Sequence, residues 1–270
     1  MSRTLVLLTV FLLLCGLLQA AEPPAPAAPA PGSPPPPAPT PSAPAAEVES
    51  PAAVSAAEAA LTEVLTAMQR AADGVTDLSA DFTYTRYSAD FDDTVQKSGH
   101  LSFKKPEFVR IDYTKPYERR IFITPDRFVD YRPDVDVATV IRRDRTQERE
   151  GSETLAVAMG TAPNKLRERF TLALVVDPEL KPEERQALRV VELLPKKEDL
   201  PEQVVKVWLW IDAHDWLPRR VKSFARNGDF ETFLFTNIKS SQKLADSLFQ
   251  FTPGAKTVID DMTAKPLPEM

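Results

Sequence analysis

A chain of 270 residues with 33 lysines and arginines against 39 aspartates and glutamates carries a formal charge of −6 at pH 7. It is long enough for one large domain or two small ones, and it is not the polycation that general nucleic-acid binding requires. One cysteine and two histidines leave little from which to build a thiol or histidine-metal centre. Neither a phosphate-cradling glycine loop nor a Gly-x-Ser-x-Gly elbow occurs, so no catalytic site, no metal and no cofactor is expected.

Residues 1–20 have the form of a secretory signal: Arg3 supplies positive charge, residues 5–18 are nearly all apolar, and Leu18-Gln19-Ala20 ends on a small residue. Cys15 lies inside this segment and raises the alternative of a lipoprotein signal, although Leu14 stands where such a signal wants a small residue. With the signal removed, the mature chain has neither thiol nor disulfide. No later apolar run approaches the roughly 20 residues that cross a bilayer, so a soluble mature chain without a transmembrane segment is expected. Residues 21–52 are almost all Ala, Pro, Ser and Glu, and half of the 26 prolines lie between residues 21 and 51. Such a segment lacks the apolar side chains to offset its ordering entropy and reads as an extended, disordered linker. The folded domain is expected over residues 53–262, with a short tail at 263–270.

Ser55 followed by Glu58 makes a capping box, and Leu61, Val64, Leu65 and Met68 recur at helical spacing before Gly74, which predicts an amphipathic helix over residues 56–73. From Leu78 the period changes to two. Phe82 and Tyr84 share a side, as do Leu101 and Phe103, then Val109, Ile111 and Tyr113, while His100, Ser102, Phe108, Arg110 and Asp112 fall opposite. Further strands are expected around 121–123, 128–131 and 137–141, separated by turns at Thr124-Pro125-Asp126 and Pro133-Asp134. Between residues 151 and 168 the alternation lapses, and Leu155, Val157, Met159 and Leu166 suggest short apolar-faced helix or irregular structure. Strands return around 172–176, 188–194, 204–211, 218–225, 230–238 and 248–251, with a helical turn near 182–186. His214, within Asp212-Ala213-His214-Asp215, fits a polar hairpin turn better than a metal site.

The result is a mainly β domain with some α: roughly eleven antiparallel strands and two or three helices. A sheet of that size must curl, split or be covered. A strongly curved sheet forming an incomplete β-barrel, with helices over its concave side, is therefore expected. The strands carry Phe82, Tyr84, Phe103, Trp208, Trp210, Phe224, Phe233, Phe235, Phe249 and Phe251. These make either an ordinary core or the lining of a pocket for a ligand that is mostly hydrocarbon, and composition alone does not separate the two.

Gly99, Lys105, Pro106, Phe108, Arg110, Tyr113 and Pro116 resemble the signature of the LolA-like family of periplasmic outer-membrane lipoprotein carriers. Asp130-Tyr131-Arg132-Pro133, Leu194-Pro195-Lys196, Trp210-Ile211-Asp212, Leu217-Pro218, Gly228, Phe235-Thr236-Asn237-Ile238 and Asp246 with Phe249-Gln250-Phe251-Thr252-Pro253 follow in the family's order. The resemblance implies a non-enzymatic, monomeric periplasmic carrier that binds the acyl chains of lipoproteins or lipids and moves them towards the outer membrane. An inner-membrane lipoprotein-releasing transporter and an outer-membrane receptor are its candidate partners. An envelope lipid-sensing or protein-interaction module of the same fold is the alternative. The cavity is expected from Leu65, Met68, Phe82, Tyr84, Leu101, Phe103, Ile111, Tyr113, Ile121, Leu155, Met159, Phe233 and Phe235. Lys105 stands where family members latch the lid with an arginine, and Arg110 is the second candidate for that role. A lysine lacks the planar fork of arginine, so its latch is expected to be weaker.

Overall fold

A computed structural model describes residues 51–142, 166–196 and 204–262. The first of these stretches holds helix α1 (Pro51–Gly74) and strands β1 (Asp77–Ser88), β2 (Asp93–Lys104), β3 (Phe108–Lys115), β4 (Arg119–Ile123), β5 (Arg127–Arg132) and β6 (Val137–Arg142). Then come α2 (Leu166–Arg169), β7 (Phe170–Val175), α3 (Pro182–Ala187), β8 (Leu188–Pro195), β9 (Val204–Asp212), β10 (Pro218–Ala225) and β11 (Phe230–Ser240). A 3₁₀ turn (Asp246–Phe249) and β12 (Val258–Asp261) follow. The predicted signal, most of the linker, the tail and the segment containing Leu155 and Met159 lie outside the described residues.

α1 forms because alanines favour helix and Leu61, Val64, Leu65, Met68 and Ala72 recur along one buried stripe. It stops at Gly74, where the Val75 N–H turns back to the Ala72 carbonyl at 3.1 Å. The helix starts five residues before the expected Ala56, so Ser55 and Glu58 lie inside it. Pro51 and Ala52 therefore belong to the helix, not to the linker. Proline is tolerated in a first helical turn, whose N–H groups have no intrahelical partner in any case.

All twelve strands belong to one sheet, in the order β12-β6-β5-β4-β3-β2-β1-β11-β10-β9-β8-β7. β1 to β6 make one antiparallel meander and β7 to β11 a second, and β1 pairs with β11 to join them. The sheet is open, with β7 and β12 as its edges. It is also curved. The stripe of α1 shares a single apolar cluster with β3 and β4 on one side of the strand order and with β8 on the other, and α1 packs against β7 as well. A flat sheet does not bring strands so far apart in the order onto one helix. Register shifts at Ser79/Asp81 and Ser98/Gly99 accompany the bend.

From β11 the chain runs back over the convex face as a strap. Its start is fixed by buried Asp77, whose carboxylate accepts the Gln242 N–H at 2.7 Å and the Lys243 N–H at 3.1 Å. Phe249 packs near Phe108 at 5.9 Å, and Phe251 lies 5.6 Å from Phe122 and 5.1 Å from Tyr131. The expected strand at 248–251 is instead this 3₁₀ turn and the extended residues after it. The strand that alternation missed, β12, pairs parallel with β6. It is four residues long and half acidic, and so carries no apolar periodicity to read.

Candidate functional site

Strand alternation turns a continuous apolar floor towards α1. It is made by Leu78, Ala80, Phe82 and Tyr84 of β1, Leu101 and Phe103 of β2, Val109, Ile111 and Tyr113 of β3, and Ile121 and Ile123 of β4. Phe233 and Phe235 of β11 continue it on the other side. The aromatic rings interlock. Phe82 meets Tyr113 edge-on with centroids 5.3 Å apart, Tyr84 lies 4.8 Å from Phe233, and Phe233 stacks on Phe235 at 6.2 Å. Leu61, Val64, Leu65 and Met68 of α1 close over the floor, and Met68 is fully buried. The predicted cavity residues Leu65, Met68, Phe82, Tyr84, Leu101, Phe103, Ile111, Tyr113, Ile121, Phe233 and Phe235 thus meet in one cluster. Leu155 and Met159 lie outside the described residues.

Lys105, at the start of the β2–β3 turn, reaches the helix. Its Nζ donates to the Ala72 carbonyl at 2.7 Å, and its backbone N–H donates to the Thr76 carbonyl at 2.9 Å. The last carbonyls of a helix have no intrahelical donor and sit at the negative end of its dipole, so an ammonium there is favoured twice. Arg110 does something else. It is out of phase with Val109 and Ile111, and its guanidinium lies on the convex face. There it donates to both Asp112 oxygens and to the Leu248 carbonyl at 3.1 Å, with Phe122 beneath it at 5.2 Å. Arg110 clamps the strap and has no hold on α1.

Alternation also divides the strand aromatics between the two faces, so they do not line one pocket together. Trp208 and Trp210 flank Leu209 on the opposite face of β9, and Phe224 lies beside them, while Phe249 and Phe251 belong to the strap. His214 sits in the polar turn expected of it, with its backbone N–H on Asp212 Oδ1 at 2.8 Å.

One polar feature of the concave face went unforeseen. Arg119, in phase with Ile121 and Ile123, forks onto Asp130 of β5 with contacts of 2.7 and 2.6 Å. Both side chains are mostly buried, 14% and 12% exposed. Burial pulls the Arg119 guanidinium down, but the hydrogen bonds and charge of Asp130 outweigh it and hold it above its ordinary value. The signal was there in the phase of Arg119 with its apolar neighbours.

A curved open sheet whose apolar concave face is covered by a helix is the fold class that the described residues define. The chain belongs to the LolA family: the family model described as outer membrane lipoprotein carrier protein LolA matches residues 73–252. No curated protein matches the sequence. Among solved structures, the chain is similar to an uncharacterized conserved protein from Thermus thermophilus, at 11% identity over 75% of this chain and 99% of that one, with a TM-score of 0.47. It is also similar to a LolA superfamily protein from Nitrosomonas europaea, at 12% identity over 70% and 97% of the two chains and a TM-score of 0.36. The lipoprotein LppX of Mycobacterium tuberculosis gives 10% identity over 70% and 98%, with a TM-score of 0.41. No helix among the described residues is long and apolar enough to cross a membrane.

Proposed function

We propose that this chain is a periplasmic carrier that takes the acyl chains of lipoproteins or lipids between α1 and the concave face and moves them towards the outer membrane. The observation that carries the reading is the seating of α1: an apolar stripe laid on an apolar floor and tied at its C-terminal end through the Lys105 ammonium. An acyl chain that displaces this stripe replaces one apolar contact by another. Each methylene withdrawn from water contributes about 0.8 kcal/mol, so loading offsets what the sheet loses when the helix lifts. Leu65, Met68, Phe82, Tyr84, Leu101, Phe103, Ile111, Tyr113, Ile121, Phe233 and Phe235 are the proposed contacts. The Arg119–Asp130 pair ends the apolar floor on the β5 side and is where a polar head would stop. Family membership supports the reading.

The test is acyl binding by the purified full chain, followed by native mass spectrometry and by titration with a fluorescent fatty acid. Leu65→Asp puts an unpaired carboxylate into the helix–floor contact, where charge burial is costly. This variant is expected to keep the circular dichroism of the sheet and to lose binding. Binding equal to wild type in Leu65→Asp, or a wild-type protein that takes up no fatty acid, would sink the proposal. A second reading, a protein-interaction module of the same fold, is favoured by one observation: helix and floor bury each other, with Met68 at 0% exposure. It predicts no uptake at all.

A further inference from the structure

On the convex face, the outward residues of β9 and β10 make a grid unrelated to the helix side. Register sets Trp208 opposite Lys222 and Trp210 opposite Arg220. Arg220 lies over the Trp210 ring at 5.0 Å, and Lys222 lies over Phe224 at 4.9 Å and Phe230 at 4.0 Å. The two indoles are pinned by carboxylates: Trp208 Nε1 donates to Glu192 at 2.8 Å, and Trp210 Nε1 to buried Asp177 at 2.9 Å. Over these rings lies a pocket of about 240 Å³, walled on one side by the loop that carries Asp177 and Glu179.

Cation–π contact holds the charged heads of both side chains over the rings, yet among the described residues neither Arg220 nor Lys222 has a carboxylate partner. The Asp177 oxygens are both engaged, by Trp210 and by the Glu179 N–H at 3.0 Å. Glu179 is exposed at the rim, and its own carboxylate has no partner among the described residues. The lining thus offers two unpaired cations, one unpaired carboxylate, and an aromatic surface between them. A phosphomonoester carries close to two negative charges at pH 7 and a phosphodiester one, and either suits an Arg and Lys together. A carboxylate beside aromatic rings suits an ammonium group. With Asp177 and Glu179 set against Arg220 and Lys222, and the Lys206 ammonium over Trp208 set 4.0 Å from Glu192, the site is balanced in charge, which favours a ligand that carries an ammonium with its phosphate over a bare anion.

We propose that this pocket binds a small phosphorylated amine, with its phosphate on Arg220 and Lys222, its ammonium on Glu179, and its methylenes on Trp208. The same chemistry is offered by a soluble phosphoamine and by the headgroup of a zwitterionic lipid. This site lies on the opposite face of the sheet from the proposed acyl site and does not rest on it.

The experiment titrates O-phosphoethanolamine into the full chain and follows tryptophan fluorescence, with inorganic phosphate and ethanolamine as single-group controls. Saturable binding of phosphoethanolamine is expected, about ten-fold or more tighter than phosphate. Lys222→Gln should weaken phosphoethanolamine and phosphate alike by about ten-fold. Glu179→Gln, at an exposed position, should erase the preference for the amine without weakening phosphate binding, which a merely structural role for Glu179 does not predict. Co-sedimentation with phosphatidylethanolamine vesicles assigns the ligand to a lipid headgroup, and soluble binding without sedimentation assigns it to a free phosphoamine. Equal affinity for phosphate and phosphoethanolamine, an unaltered preference in Glu179→Gln, or no saturable change with phosphoethanolamine overturns the proposal.

Discussion

At Gly99 a side chain of any size meets backbone. A Cβ placed there lies 2.1 Å from the Asp112 carbonyl oxygen and 2.9 Å from the Phe82 ring. The position coincides with the register shift between β2 and β3, where the two backbones close on each other so that Phe82 can turn its edge to Tyr113. Gly99→Ala must therefore push β3 away and displace Phe82 as well, and overpacking of this kind costs about 1–3 kcal/mol. Chemical denaturation measures it, and a midpoint equal to wild type would show that the strands part without cost. The glycine stood in the sequence as part of a family signature, but the reason for it became visible only with the β2–β3 register. The same holds for the two basic residues of that signature: Lys105 and Arg110 look alike in a list, and strand phase sends one to the helix and the other to the strap.

Among the elements, α1 is the one that must move if acyl chains enter, and its C-terminal end is tied by the Lys105 ammonium on the Ala72 carbonyl and by the Ser241 hydroxyl on the Gly74 carbonyl at 3.3 Å. Lys105→Met keeps much of the side chain's apolar stem and removes the hydrogen bond to Ala72. Amides in the last two turns of α1 are expected to exchange faster in this variant, with the β1–β4 amides unchanged, because a cap stabilises its own helix end without holding the sheet. Equal exchange in α1 would mean that its apolar contact and its ties to Ser241 and Arg167 seat the helix without the ammonium. Elements with a strong period were legible from sequence. The apolar stripe of α1 and the alternation of β1 to β5 and of β8 to β11 each repeat a pattern that only one local geometry satisfies. What stayed hidden has no period of its own. The first turn of α1 is Pro and Ala, acceptable to linker and helix alike. The strap is held by Asp77, Lys104 and Arg110, each reaching chain more than a hundred positions away. The proposed floor was legible because burial on one face of a strand is written two residues apart, whereas the split of Trp208, Trp210 and Phe224 from that floor required their phase against Leu209 to be given more weight than their aromatic character.

For the molecule as a whole, the decisive pairing is β1 with β11, since among the described strands it alone joins the two meanders edge to edge. Hairpins within each meander close short loops, while β1 and β11 must meet across nearly the full described chain, with Tyr84 set opposite Phe233. Non-local pairs bear the larger loop-closure entropy and form slowly. Pulse-labelled hydrogen exchange during refolding should protect β3–β5 and β8–β10 before the amides that bridge β1 and β11; simultaneous protection would contradict this order. The strap adds a clasp whose moment of closing is set by the direction of synthesis. A chain made from its N-terminus has finished β6 long before β12 exists, so the outer edge of β6 stands without a neighbour while the second meander is still being made. Val137-Ala138-Thr139-Val140-Ile141 is a β-branched, proline-free run, the kind of segment on which a foreign strand adds most readily. The growing chain is thus most open to mispairing at β6, and that exposure ends only when the last described strand, Val258–Asp261, comes to lie beside it.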